Sequence, residues 1–226
     1  MRIEAKQMHT RQHTSLLAQA EKRLLEKLAA RMPNWVNSDH LTLLGLCGML
    51  LAGAAYWAAC WDRHALILVV LALAVNWFGD SLDGTLARVR NRQRPRYGYY
   101  VDHVIDLFGT FFLLGGLALS GYMSPMVALG LLAAFFMVEA QVYLATHVLG
   151  VFRLAFLKVG PTELRIILAI GTLCLLYKPW VGLGGIGRFL LFDVGGMISI
   201  AGMAMTLVVS SVRNTMELYK AETLPR

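Results

Sequence analysis

Charge is scarce in this chain. Asp, Glu, Lys and Arg make up 15% of 226 residues against 57% hydrophobic, a balance that excludes an ordinary soluble domain and places the chain among integral membrane proteins. Cysteine is scarcer still. Cys47, Cys60 and Cys174 are isolated, with no metal-ligand spacing and no evident pairing, which leaves them as small hydrophobes expected to be buried. No repeat or low-complexity tract breaks the sequence, and nothing marks a second domain. The first dozen residues are polar and lack the apolar core of a signal peptide, so the mature chain is expected to begin here.

What is present is apolar length. Runs at 41–61, 65–86, 100–121, 125–148, 164–178 and 189–212 each come near the ~20 residues a helix needs to cross a bilayer. The expected fold is an all-α integral membrane protein of six transmembrane helices with an N-terminal interfacial amphipathic helix. Residues 1–40 would form the cytosolic or interfacial segment, 41–212 the six-helix bundle and 213–226 a cytosolic tail. Within 14–31, Leu17, Ala20, Leu24 and Leu28 make one stripe, with Glu21, Arg23, Glu26 and Lys27 largely off it. That pattern suits a helix lying in the membrane interface or one packed on the bundle. Pro33 ends it, Asn37, Ser38 or Asp39 can cap the first span, and the glycine-rich stretch from Pro179 to Gly187 reads as a loop.

Orientation follows from the basic residues. With a cytosolic N-terminus, the outer loops hold only Arg63, Lys178 and Arg188, and every other Lys and Arg falls inside. This bias puts the termini and the 88–98 loop on the cytosolic face. The net charge of +7 then reflects topology and anionic headgroups, not nucleic acid.

Against this apolar background stand four acids. Asp80, Asp83, Asp102 and Asp106 flank a loop that carries Arg88, Arg90, Arg92, Arg94 and Arg96. Counting ~20 residues from Ala65, or backward from Ser120, places all four inside the cytosolic ends of two consecutive spans. Acids three or four residues apart share a helix face, and antiparallel neighbours hold both pairs at one depth. Intramembrane acids are costly and functional. Four together would repel without cations, and hard oxygen ligands suit Mg²⁺ or Mn²⁺. Gly84 and Gly98 leave the backbone approachable, Ala87 keeps the face low, and Arg88 suits a phosphate.

In full the pattern is Asp80-x-x-Asp83-Gly84-x-x-Ala87-Arg88, nine residues, Gly98-x-x-x-Asp102-x-x-x-Asp106. It resembles the signature of the CDP-alcohol phosphatidyltransferase family, and the six spans and N-terminal helix extend the likeness over most of a single domain, 1–226. The resemblance implies a homodimeric phospholipid-synthesising enzyme that displaces CMP from a CDP-linked alcohol with a hydroxyl acceptor. It implies that Asp80, Asp83, Asp102 and Asp106 hold Mg²⁺ or Mn²⁺, two per site, and that Asp106 is the general base. Gly84, Ala87, Arg88 and Gly98 would line the CDP site. Thr42 joins them, because Ser38-Asp39-His40-Leu41-Thr42 resembles the family's Pro-Asn-x-Leu-Thr, with Ser38 and Asp39 departing from it.

Two branches of the family fit. One uses CDP-diacylglycerol and a small polar alcohol or its phosphate, and the length of this chain favours it. Arg153, Lys158 and Arg165 can then hold an acceptor phosphate, although a basic loop is expected there anyway. The other donates from CDP-choline or CDP-ethanolamine to diacylglycerol. Asp102-His103-x-x-Asp106 and Gly160-Pro161-Thr162-Glu163 resemble it, and His103 would assist or replace Asp106 as base or orient Asp102. Glu139 in the fourth span has no evident partner, and Asp193 is expected at the interface. An ion or proton transporter and a non-catalytic membrane scaffold are the remaining rivals; the first would not need the Gly/Ala/Arg pattern, and the second has no reason to hold four uncompensated acids.

Overall fold

A computed structural model describes residues 18–149, 160–185 and 187–222. Helix α1 (Ala18–Arg31) precedes α2 (Ser38–Ala58), α3 (Ala65–Val89), α4 (Pro95–Leu119), α5 (Pro125–Leu149), α6 (Pro161–Leu175) and α7 (Leu191–Ala221). Between α6 and α7 lies an antiparallel hairpin of β1 (Trp180–Leu183) and β2 (Gly187–Leu190). It is the one departure from all-α among the described residues, and its turn uses Gly185 and Gly187, both at positive φ.

Helices α2, α3, α4, α5 and α7 are long and apolar enough to cross a membrane. The run expected at 164–178 is the 15-residue α6, about 22 Å long and short of a ~30 Å hydrocarbon core. Helix α7 continues to Ala221, so most of the expected tail from 213 is helical. Large apolar side chains such as Leu71, Leu129, Ile167, Ile198 and Met205 point outward, as a lipid-facing surface requires. Cys47, Cys60 and Cys174 are exposed on that surface, which corrects the expectation that they are buried: in a membrane protein an apolar thiol is as comfortable against lipid as in the core.

Helix ends obey local chemistry. Asn37 is the cap of α2, its side chain accepting from His40 N at 3.0 Å while Asn37 N donates to His40 Nδ1 at 3.4 Å. Pro95 and Pro161 open α4 and α6, where a missing N–H costs nothing. Helix α3 stops at a Schellman turn. Asn91 adopts φ 52°, Arg92 N reaches Ala87 O at 2.9 Å and Asn91 N reaches Arg88 O at 3.1 Å. The chain reverses within a few residues and α4 returns antiparallel to α3.

Small residues set the crossings. A Cβ on Gly48 would lie 2.7 Å from Asn76 N, and one on Gly116 would lie 1.9 Å from Gly53 O. Helices α2 and α3, and α2 and α4, therefore touch backbone to backbone. Asn76 Nδ2 donates to Gly45 O at 2.9 Å across the first of these crossings. Farther along, a core of Tyr56, Leu66, Val69, Leu113, Leu117, Leu175 and Phe192 fills the bundle. Thr172 Oγ1 donates to Leu168 O at 2.7 Å, so Tyr56 Oη donates to Thr172 at 2.6 Å and ties α2 to α6.

At the opposite end a second core gathers Leu25, Ala29, Val36, Leu41, Leu82 and Leu86. Helix α1 packs here through Leu25 and Ala29, with Leu28 half-buried, while Ala20 and Leu24 face outward. The inward stripe is thus one position away from the one the sequence suggested, and Leu17 lies outside the described residues. Arg90 fixes the α1–α2 connection, donating through Nη1 to Val36 O and through Nη2 to Met32 O at 2.8 Å and Pro33 O at 2.9 Å.

Candidate active site

The reversal at Asn91 brings the last turns of α3 against the first turns of α4. Asp80 and Asp83 stand on the former, Asp102 and Asp106 on the latter, all within helices as span counting requires. One carboxylate oxygen from each of Asp80, Asp102 and Asp106 lies within 4.8 Å of the others. Asp80 and Asp102 are half-buried and Asp106 is exposed. Three acids this close, in a bundle of low polarity, form a cluster of hard oxygen donors.

Asp83 is turned differently. Its Oδ2 accepts from Thr42 Oγ1 at 2.6 Å, and its Oδ1 accepts from Gly84 N. Ser38 Oγ also donates to Asp83 O at 2.7 Å. The stretch at the start of α2 thereby reaches the acid motif through Ser38 and Thr42. Asp39 does not take part, since its carboxylate pairs with exposed Arg94 of the α3–α4 loop. That pairing holds the Arg94 guanidinium above its usual pKa, and the guanidinium also stacks 4.0 Å from the centroid of Tyr97.

Arg88 is exposed and donates to Thr85 Oγ1 at 2.9 Å. A Cβ on Gly84 would meet its Nη1 at 3.4 Å, whereas one on Gly98 would meet nothing within 4 Å. Gly84, Ala87 and Arg88 lie on the last turns of α3 and Gly98 on the first turn of α4.

Of the three basic residues considered for an acceptor phosphate, Arg153 and Lys158 lie outside the described residues. Arg165 on α6 reaches the acid cluster, with Nη2 2.6 Å from Asp80 Oδ2. Its Nη1 is buried and has no hydrogen-bond partner among the described residues.

His103 faces α5. Its Nδ1 is 2.7 Å from Tyr99 O, and a carbonyl only accepts, so the ring proton sits on Nδ1. Asp102 Oδ2 is 4.0 Å from that nitrogen, beyond hydrogen-bond reach. The ring packs at centroid distances of 4.1 Å from Tyr99 and 5.3 Å from Tyr143. Glu139, one turn before Tyr143 on α5, is half-buried. Asp193 sits at the far end of the bundle, accepting from Ser124 N at 2.6 Å and Ser124 Oγ at 2.5 Å, and so ties α7 to the α4–α5 turn.

With this geometry in view, comparison with known families is decisive: residues 35–211 match the CDP-alcohol phosphatidyltransferase description. The chain belongs to that family. The matched region runs from the α1–α2 connection into α7 and includes both halves of the acid motif. Membership in the CDP-alcohol phosphatidyltransferases weighs against the transporter alternative. A curated relative, an archaetidylinositol phosphate synthase of Pyrococcus horikoshii, is 33% identical over 86 residues, 38% of this chain and 43% of the relative. The similarity thus spans less than half of the relative's length.

Sequence reasoning missed three features of the site. Glu21 is placed by the sequence only as a charge largely off the apolar stripe, yet its Oε1 accepts from Trp77 Nε1 at 2.8 Å and from Thr162 Oγ1 at 2.6 Å. Arg165 was weighed for phosphate and not for Asp80, which is 85 residues away. The Tyr99–His103–Tyr143 stack joins two helices, and nothing in either segment alone signals it.

Proposed function

We propose that the protein transfers a substituted phosphate from a CDP-linked alcohol to a hydroxyl acceptor, with release of CMP, in phospholipid synthesis. The observation that carries this reading is the meeting of Asp80, Asp102 and Asp106 within 4.8 Å inside the family's motif. CDP-diacylglycerol is the donor we favour, with a polar alcohol bearing a phosphate as acceptor. Arg165 supports the acceptor, because its buried Nη1 still has a donor to offer a phosphate oxygen. The Pyrococcus horikoshii relative, named as an archaetidylinositol phosphate synthase, supports a phosphate-bearing head group. A homodimer with its site on the cytosolic face completes the reading, on the family resemblance and the distribution of Lys and Arg.

The donor set fits a divalent cation. Three carboxylates converge with Arg165 as the cation bound to one of them, and all offer the hard oxygens that Mg²⁺ and Mn²⁺ take. Asp80, Asp102 and Asp106 would hold the ion or ions, with Asp83 beside them. When bound, such an ion neutralises pyrophosphate oxygens and stabilises the CMP that departs.

The chain's own residues supply the rest. Thr42 holds Asp83 oriented, and the open backbone at Gly98 with the small Gly84 and Ala87 leaves room for the nucleotide. Arg88 meets its phosphates from the exposed end of α3. Asp106, the most exposed of the three converging acids, takes the proton of the acceptor hydroxyl as it attacks phosphorus. His103 keeps its proton on Nδ1 and packs the α4–α5 side of the site.

The aminoalcohol branch stays as a second reading, on the aromatic rings of Tyr99 and Tyr143 around His103 and on the two motif likenesses. Purified protein incubated separately with CDP-diacylglycerol, CDP-choline and CDP-ethanolamine, each with an acceptor panel, tests both. CMP and a new lipid from CDP-diacylglycerol with a phosphorylated alcohol are expected. Product from CDP-choline or CDP-ethanolamine with diacylglycerol alone would replace the donor assignment, and no CMP from any donor would overturn the reading.

A further inference from the structure

We infer that Glu21 is a positioning residue for the acceptor side of the site: it holds the start of α6 against α3 so that Arg165 stays on Asp80. This rests on the proposed role of Arg165. Glu21 lies outside the matched region 35–211, so family membership assigns it nothing.

The connectivity makes the case. Trp77 and Asp80 stand about one turn apart on α3, and Thr162 and Arg165 about one turn apart on α6, so each pair shares a helix face. Both pairs are linked across the gap between the helices. Asp80 bonds Arg165 directly at 2.6 Å, and Trp77 and Thr162 meet on one oxygen, Glu21 Oε1, at 2.8 and 2.6 Å. A carboxylate on α1 therefore clamps two helices that both carry site residues.

Helix α6 needs such a clamp. It has only 15 residues, and among the described residues side-chain hydrogen bonds tie it to other helices at Thr162, Arg165 and Thr172. Tyr56 holds Thr172 toward its C-terminal end, and Glu21 holds Thr162 in its first turn. Glu163 is engaged locally, accepting from Gly160 N at 3.0 Å. Arg165 sits one turn beyond Thr162, and its buried Nη1 has no partner among the described residues to steady it. Releasing Thr162 frees the first turn of α6 and, with it, the guanidinium. The helix that carries Glu21 is itself seated on α3 by Leu25 and Ala29, so the acceptor side is referenced to α1.

Kinetics and melting of the full-length protein in detergent test this together. Glu21→Ala should raise the acceptor KM about tenfold, the scale of a lost hydrogen bond to a charged group, with the donor KM within about twofold. Glu21→Gln, whose amide oxygen still accepts from Trp77 and Thr162, should recover most of the loss, and Thr162→Val should reproduce it. In an Arg165→Gln background, Glu21→Ala should add nothing further, because residues acting through one another are not additive. Fully additive losses, or equal rises in both KM values, would overturn the inference. The same double-mutant cycle read by thermal unfolding needs no substrate. Non-additive melting shifts support the clamp even if no CDP-alcohol is turned over, an outcome that would sink only the proposed function. Additive shifts would reject the clamp even in an active enzyme.

Discussion

Thr42 Oγ1 donates to Asp83 Oδ2 across 2.6 Å, joining the first turn of α2 to the last turns of α3. Ser38 O lies 2.9 Å from the same hydroxyl, so one proton faces two acceptors, and the nearer carboxylate is the stronger. Thr42→Val keeps the shape of the side chain and removes that proton. We expect kcat/KM for CMP release to fall about 10- to 100-fold, as for a lost hydrogen bond to a charged group. A change below twofold would remove Thr42 from the donor site.

Metal dependence is the second expectation. EDTA-treated enzyme should lose CMP release and regain it with Mg²⁺ or Mn²⁺. Asp80→Asn and Asp102→Asn should each be nearly inactive yet still fold, with Asp80→Asn melting lower because it weakens the bond to half-buried Arg165. Full activity in EDTA would remove the metal from the proposal.

Arg165→Gln separates acceptor from donor. With a phosphorylated acceptor, its KM should rise about tenfold or more while that of CDP-diacylglycerol holds. A silent substitution would favour diacylglycerol as acceptor, and His103→Ala should then cost more than Arg165→Gln.

Backbone contact between α2 and its neighbours is a stability claim. Gly116→Ala would put a methyl 1.9 Å from Gly53 O, and since backbone must shift we expect a loss of about 1–3 kcal/mol in detergent unfolding. Gly98→Ala, with open space around it, should melt like the parent while activity falls. Equal melting of the two variants would contradict the packing described.

Labelling fixes the orientation. Single cysteines introduced at Arg63 or Gly184 should react with an impermeant reagent in intact cells, and one at Arg92 should not. Labelling at Arg92 would put the site on the other face.

The acid motif was legible in the sequence because its signals are local. Helical spacing puts Asp80 and Asp83 on one side of α3 and Asp102 and Asp106 on one side of α4, and hydropathy sets their depth. Which oxygens converge was not legible. Asp83 turns to Thr42, 41 residues earlier, and no periodicity reports a bond between spans. Helix α1 was misjudged by one position because Leu24 and Leu25 are both apolar, and only α3 decides which of them is buried. The role of Glu21 was not legible because the donors that satisfy it, Trp77 and Thr162, come from two other helices.

The tight reversal at Asn91 has a consequence for how the enzyme is made. All the converging acids belong to one helical hairpin, so they can meet as soon as α3 and α4 have entered the membrane, through contacts short in sequence and quick to form. Arg165 follows 85 residues after Asp80. During synthesis there is thus an interval in which the nascent hairpin holds its negative charges without the guanidinium that later sits among them. If the acids hold the divalent cation we propose, the order of translation would let it load before the bundle closes.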